Sequence, residues 1–148
     1  MLILKISKDD NIWNVVADFA EKCSWNACAR MANIMREDGF SDWERIFVAV
    51  ENDEIMGFCA LVKSKGFQGF ETNPLIKWLF VCEQFRGKRL SEKLLGTAEK
   101  YASEIGFNEV FLTTWHIGLY EKFGYRKIHE VLVRENYSEA IFKKDIIK

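Results

Sequence analysis

The sequence predicts an α/β domain built on a mixed sheet, and three observations carry that prediction. Two strand-like runs, residues 46–50 (IFVAV) and 55–62 (IMGFCALV), flank Asn52-Asp53, a pair suited to a hairpin turn. Residues 75–81 (LIKWLFV) read as a buried strand, and a long helical pattern and a short strand at 110–113 follow it. Hairpins in the first half and strand–helix–strand in the second require antiparallel and parallel pairing in one sheet. The length, 148 residues, suits a single domain over 1–148.

The elements follow in order. Leu2 to Ile6 alternates apolar and polar residues as a strand does. Asp9 and Asp10 can cap a helix whose apolar face is Ile12, Val15, Val16, Phe19 and Ala20. Ser24 or Asn26 can cap a second helix, with Met31, Ile34 and Met35 inward and Gly39 as its C′ residue. The hairpin comes next, then a loop over 64–74 containing Gly66, Gly69 and Pro74. After the 75–81 strand, Leu90, Leu94, Leu95, Ala98, Tyr101, Ala102 and Ile105 mark one face of a long helix that Gly106 ends. A short helix near 116–123 ends at Gly124, and two strands follow near 125–133 and 137–144.

Composition excludes several classes. Hydrophobic residues make up 49% and charged residues 29%, which rules out a disordered or coiled-coil chain. No apolar run is long enough to span a membrane, and the start, MLILKISKDD, lacks a basic n-region. A cytoplasmic protein with no membrane partner is expected. The net charge of -1 argues against bulk nucleic-acid binding. Residues 1–83 carry a balance of -4 and residues 84–148 one of +3, a bias that suits a phosphorylated ligand or is scattered solvated charge. Cys23, Cys28, Cys59 and Cys82 form no C-x-x-C pair, and neither His116 nor His129 stands at a zinc spacing from them. Reduced, mostly buried thiols and no metal are expected.

The most informative stretch runs from Val81 to Ser91 (VCEQFRGKRLS). A buried strand ends, a short basic loop follows, and a long helix begins. Backbone N–H groups at a helix start lack internal partners, and the helix dipole adds partial positive charge there. Gly87 permits close backbone approach, and Arg86, Lys88 and Arg89 surround it with charge. The same residues read alternatively as an ordinary strand-to-helix turn. The run lacks the Gly-Lys-Ser/Thr ending of a P-loop.

This segment resembles the acetyl-CoA signature of the GNAT superfamily of N-acetyltransferases. That pattern, Gln/Arg-x-x-Gly-x-Gly/Ala at a helix start, maps onto Arg86, Gly87, Lys88, Arg89, Leu90 and Ser91. Arg89 stands where the family usually has Gly, and Ser91 where it has Gly or Ala. Downstream, Leu119-Tyr120-Glu121-Lys122-Phe123-Gly124-Tyr125 resembles the closing segment of the family. Both motifs stand in order, separated by a helix and a strand, and the likeness covers residues 75–130.

The resemblance implies a GNAT-like three-layer fold. Its sheet is central, mixed and mostly antiparallel, with about six to seven strands flanked by about four helices. It implies acetyl transfer from acetyl-CoA to a primary amine, by direct attack through a tetrahedral intermediate. Backbone N–H groups at Leu79, Phe80 and Val81 would steady the oxyanion, and the loop at 86–91 would hold the pyrophosphate. Tyr120 would protonate the departing thiolate. An amine must also lose a proton. His116 precedes Tyr120 by one helical turn and reads as a base, a substrate ligand, or a capping or core histidine. Glu71 and Glu83 are carboxylate candidates or surface charges.

The acceptor pocket is expected among the first two helices, the 64–74 loop and the later strands. Trp25, Trp43, Trp78 and Trp115 line a pocket or pack a core. Glu37, Asp38, Asp42 and Glu44 attract a cationic amine or form a solvated turn. The short chain favours a small-molecule acceptor, and the family resemblance leaves a homodimer open. The competing reading is a non-catalytic acyl-CoA-binding module of the same fold.

Overall fold

The computed structural model describes residues 1–114 and 118–146. Seven strands form one sheet: β1 (Leu2–Ile6), β2 (Arg45–Glu51), β3 (Glu54–Val62), β4 (Leu75–Val81), β5 (Glu109–Thr114), β6 (Arg126–Arg134) and β7 (Tyr137–Asp145). Their spatial order is β1-β2-β3-β4-β5-β7-β6. Only β4 and β5 run parallel, because a helical crossover joins them. The expected mixed sheet is therefore present at the upper end of the expected strand count. Among the described residues it is flanked by three α-helices rather than four: α1 (Trp13–Glu21), α2 (Asn26–Arg36) and α3 (Leu90–Glu104). In the described part of the segment expected as a short fourth helix, a single 3-10 turn spans Tyr120–Phe123, between Gly118 and Gly124 at positive φ. A second such turn, Glu83–Phe85, follows β4.

The central strands are apolar on both faces because both faces are covered. Along β2, Ile46 and Val48 join α1 and α2 in one core, while Phe47 and Ala49 join α3 in the other. Trp13 ties α1 to α2 by donating its indole N–H to the Met35 carbonyl at 3.3 Å. No described helix is long and apolar enough to cross a membrane. All four cysteines are free thiols.

Several local expectations shift. Asp10 does not cap α1. It closes the preceding turn by accepting the Ser7 N–H at 2.7 Å, and Ile12 takes the cap position. Neither Ser24 nor Asn26 caps α2, whose N-cap is Trp25 without a side-chain bond. Asp38, not Gly39, takes the left-handed residue after α2 (φ +59°). Gly39 is one place further on and donates to the Ile34 carbonyl at 2.8 Å, the closing bond of a Schellman turn. Val15 and Ile105, expected on apolar faces, are exposed. The Asn52-Asp53 hairpin forms as expected, both residues at positive φ.

Gly57 sets the spacing of β3 against β4. A Cβ there would meet the Phe80 carbonyl oxygen at 2.5 Å and the Val81 Cα at 3.1 Å, both backbone. Gly57→Ala is expected to destabilise the fold by about 2 kcal/mol, the usual scale of overpacking against atoms that cannot turn away. Urea denaturation with an unchanged midpoint would contradict that close approach.

Candidate active site

The site originates where the sheet splits. β5 pairs with β4 at Leu75–Phe111 alone, and beyond that point the two parallel strands part. β4 also bulges. Between the pairs Phe58–Phe80 and Ala60–Lys77, Trp78 and Leu79 both stand opposite the single residue Cys59. Trp78 sits at φ +55°, a conformation that a bulky L-residue adopts only when its surroundings impose it. The bulge resets the alternation of faces. Ile76 packs on the α3 side, whereas Trp78, two residues on, packs on the α1/α2 side.

A cavity of about 690 Å³ fills the split, within the usual range for small-molecule sites. Its walls come from both faces of the sheet. Trp25, Ala27 and Arg30 reach it from α2 and the turn before it, and Ser91 and Leu95 from α3. Leu79, Phe80 and Val81, the expected oxyanion segment, run along it. A ligand can therefore be approached from two sides of the sheet at once.

The basic loop lies at the α3 end. Arg86 lines the cavity and is anchored by donating its Nε–H to the Val81 carbonyl at 3.0 Å. Gly87 adopts φ +85°, and a Cβ built there meets nothing within 4 Å. Arg89 is the N-cap of α3 in the left-handed region (φ +61°, ψ +26°), which is the physical reason glycine suits that position. Its guanidinium is exposed and pairs with Glu92 at 3.0 Å. Lys88 is exposed, and the Leu90 side chain is buried in the α3 core, so only its backbone faces the loop. The backbone N–H groups from Gly87 to Glu92 have no hydrogen-bond acceptor among the described residues; the first N–H bonded back is that of Lys93, to Arg89. Six consecutive free donors, a helix dipole and the guanidinium of Arg86 make an anion cradle.

Tyr120 lines the same cavity. Its turn is held in three ways. Glu121 accepts the Gly118 N–H at 3.0 Å, Tyr125 donates its backbone N–H to the Tyr120 carbonyl at 3.2 Å, and Tyr125 donates its hydroxyl to Glu99 of α3 at 2.7 Å. The Tyr120 ring packs on Tyr125 and Phe142, each at 6.3 Å between centroids. Burial, with the neighbouring Cys59 second, pushes its pKa above the ordinary tyrosine value.

Other expected residues fall elsewhere. His116 and Trp115 lie outside the described residues. Glu71 does not reach the cavity; it is exposed and accepts the Asn73 N–H at 3.3 Å, bracing the loop before β4. Glu83 is exposed in the 3-10 turn that follows β4. Trp25 and Trp78 line the cavity, and Trp25 stacks on Phe80 at 6.4 Å. Trp43 packs instead on Phe107 at 5.1 Å. Asp38, Asp42 and Glu44 form a surface network with Lys8, Lys63 and the Ser41 N–H, so the acidic run is a solvated turn. The structure adds residues the sequence did not single out: Arg30, Lys77, Tyr137 and Glu139. No local pattern marks them, because α2, β4 and β7 converge only in the fold.

The split between β4 and β5, the start of α3 and Tyr120 are set around one cavity. The GNAT acetyltransferase domain model matches residues 42–127, and this chain belongs to that family. An uncharacterised N-acetyltransferase of Chlorobaculum tepidum is 36% identical over 86 residues, 57% of this chain and 51% of that protein. The match thus spans about half the length of that relative. Among solved structures, an aminoglycoside 6'-acetyltransferase type Ii superposes with a TM-score of 0.79 at 18% identity, covering 100% of this chain and 99% of the other. An aminoglycoside 6'-N-acetyltransferase complexed with coenzyme A gives 0.77 at 17% identity, covering 100% and 98%. At these identities the likeness is one of fold.

Proposed function

We propose that residues 1–148 act as one cytoplasmic N-acetyltransferase domain that moves an acetyl group from acetyl-CoA to a primary amine of a small molecule. The observation that carries this reading is the cavity through the sheet, with six free N–H donors beyond one end and Tyr120 on its wall. The residues present fit acetyl-CoA. A diphosphate suits the cradle at 86–91, where Gly87 leaves open space and Arg89 pairs with Glu92. An extended pantetheine arm suits the β4 edge that β5 leaves unpaired.

Acetyl-CoA supplies a thioester carbonyl for the amine to attack and a thiolate to be released. Along Leu79, Phe80 and Val81, the backbone N–H groups that point away from β3 offer donors toward the carbonyl oxygen, beside the bulge at Trp78. Tyr120 offers the proton the thiolate needs, and its raised pKa keeps it protonated at neutral pH. Glu139 is the carboxylate placed to accept a proton from the amine, directly or through water.

Calorimetric titration with acetyl-CoA and with CoA tests the reading. Micromolar binding of both is expected, followed by thiol release with an amine acceptor. Absence of binding to either would overturn it, and binding without turnover across an amine screen would favour a non-catalytic acyl-CoA module.

A further inference from the structure

We infer that the acceptor is an amine carrying a carboxylate on the same small molecule, and that Arg30 and Lys77 bind that carboxylate. The inference rests on the acyl-transfer reading and specifies its second substrate. Both cations line the cavity, Arg30 from α2 and Lys77 from β4. Both residues are exposed to solvent at the cavity, and neither makes an ion pair or a hydrogen bond among the described residues. The next basic residue along α2 behaves differently: Arg36 is paired with Asp18 and Glu21. Lys77 lies before the bulge, opposite Ala60, and alternates with Ile76 to the α1/α2 side; the bulge brings Trp78 to that same side, its ring centroid 4.6 Å from the Lys77 ammonium.

The two cations oppose each other. Desolvation first, and the charge of Arg30 second, lower the pKa of Lys77, while Glu139 raises it. An anion shared by Arg30 and Lys77 removes that repulsion and gains charge-assisted hydrogen bonds. Glu139, the carboxylate lining the cavity, accepts the Tyr137 hydroxyl at 3.3 Å and is available to the ammonium of the same acceptor. A polycation such as an aminoglycoside would meet two unpaired cations here, so the acceptor class differs from the one named for the structural neighbours. Trp25, stacked on Phe80, supplies an apolar wall for the body of the acceptor.

The test uses matched probes on the intact chain. Binding of 3-phenylpropionate and of 3-phenylpropionamide to the protein–CoA complex is measured by calorimetry. Thiol release is then measured for phenylalanine against phenylalaninamide, 4-aminobutyrate against its amide, and spermidine. The carboxylate is expected to be favoured by about tenfold or more in binding or in kcat/KM. Arg30→Gln and Lys77→Gln are each expected to bring that ratio towards one. Lys100→Gln, on the exposed outer side of α3, is expected to leave it unchanged. Equal or better use of amides or spermidine overturns the inference, as does a ratio that survives both variants. Loss of acetyl-CoA binding in the unaltered protein overturns the acyl-transfer reading and this inference with it. Intact acetyl-CoA binding with no carboxylate preference, in binding or turnover, overturns this inference alone.

Discussion

Tyr120→Phe is expected to lower kcat by about ten- to a thousandfold, the range spanned by loss of a positioned general acid, and to leave acetyl-CoA affinity nearly unchanged. The substitution removes one oxygen and keeps the ring contacts with Tyr125 and Phe142, so the fold has no reason to respond. The 3-10 turn that carries the residue is held by backbone and by Glu121, not by the phenol. Burial raises the Tyr120 pKa, which favours the protonated form. Loss of activity through ionisation of this group should therefore begin only above the pH at which an ordinary tyrosine titrates, about 10. Below that pH the phenol is intact and donates. Pre-steady-state thiol release across pH, on both proteins, separates the cases. Unchanged turnover in the Phe variant would remove Tyr120 from the proton-donating role. An equal loss of acetyl-CoA binding would make it a binding residue instead.

The parts of this molecule that were legible in the sequence are those with local causes. Asn52-Asp53 needs left-handed backbone at two adjacent positions, and Asn and Asp tolerate it, so the hairpin was visible before the fold. A turn with unbonded donors before α3 was expected because a strand end, Gly87 and a helix start are contiguous. The bulge at Trp78 was not visible. LIKWLFV contains no glycine, proline or asparagine, and the extra residue shows only in the pairing of β4 with β3. Arg30, Lys77 and Glu139 were missed for a related reason. Each is an ordinary charged residue in its own element, and their common cavity exists only because β4 and β5 part. The closing segment misled in a smaller way. Its tyrosine, lysine and phenylalanine suit a helix, but positive-φ glycines on both sides leave room for one 3-10 turn. Arg89 illustrates how a departure from a family pattern is accommodated: the backbone keeps the left-handed conformation glycine would adopt, and the side chain is carried to Glu92.

Gly87→Val is expected to weaken acetyl-CoA binding by about ten- to thirtyfold while lowering thermal stability only modestly. Two separate features of Gly87 support this. Its φ of +85° lies in a region that costs an L-residue about 1–2 kcal/mol, and a β-branched side chain is the least tolerant. That cost alone corresponds to roughly five- to thirtyfold in affinity if the loop relaxes away from its present shape in the variant. Yet, beyond Gly87 and its two chain neighbours, nothing lies within 4 Å of the position a Cβ would take. The new methyl groups therefore do not crowd the fold. They occupy the space beside the free N–H groups, where a diphosphate would come. Acetyl-pantetheine, which lacks the diphosphate, distinguishes these consequences. Its affinity should be the same for both proteins, because it does not reach the cradle, whereas acetyl-CoA should lose its advantage over it in the variant. Equal weakening of the two ligands would mean that the substitution deforms β4 and the cavity rather than the anion site. Unchanged acetyl-CoA affinity in a folded variant would place the diphosphate somewhere other than the loop between Arg86 and Ser91.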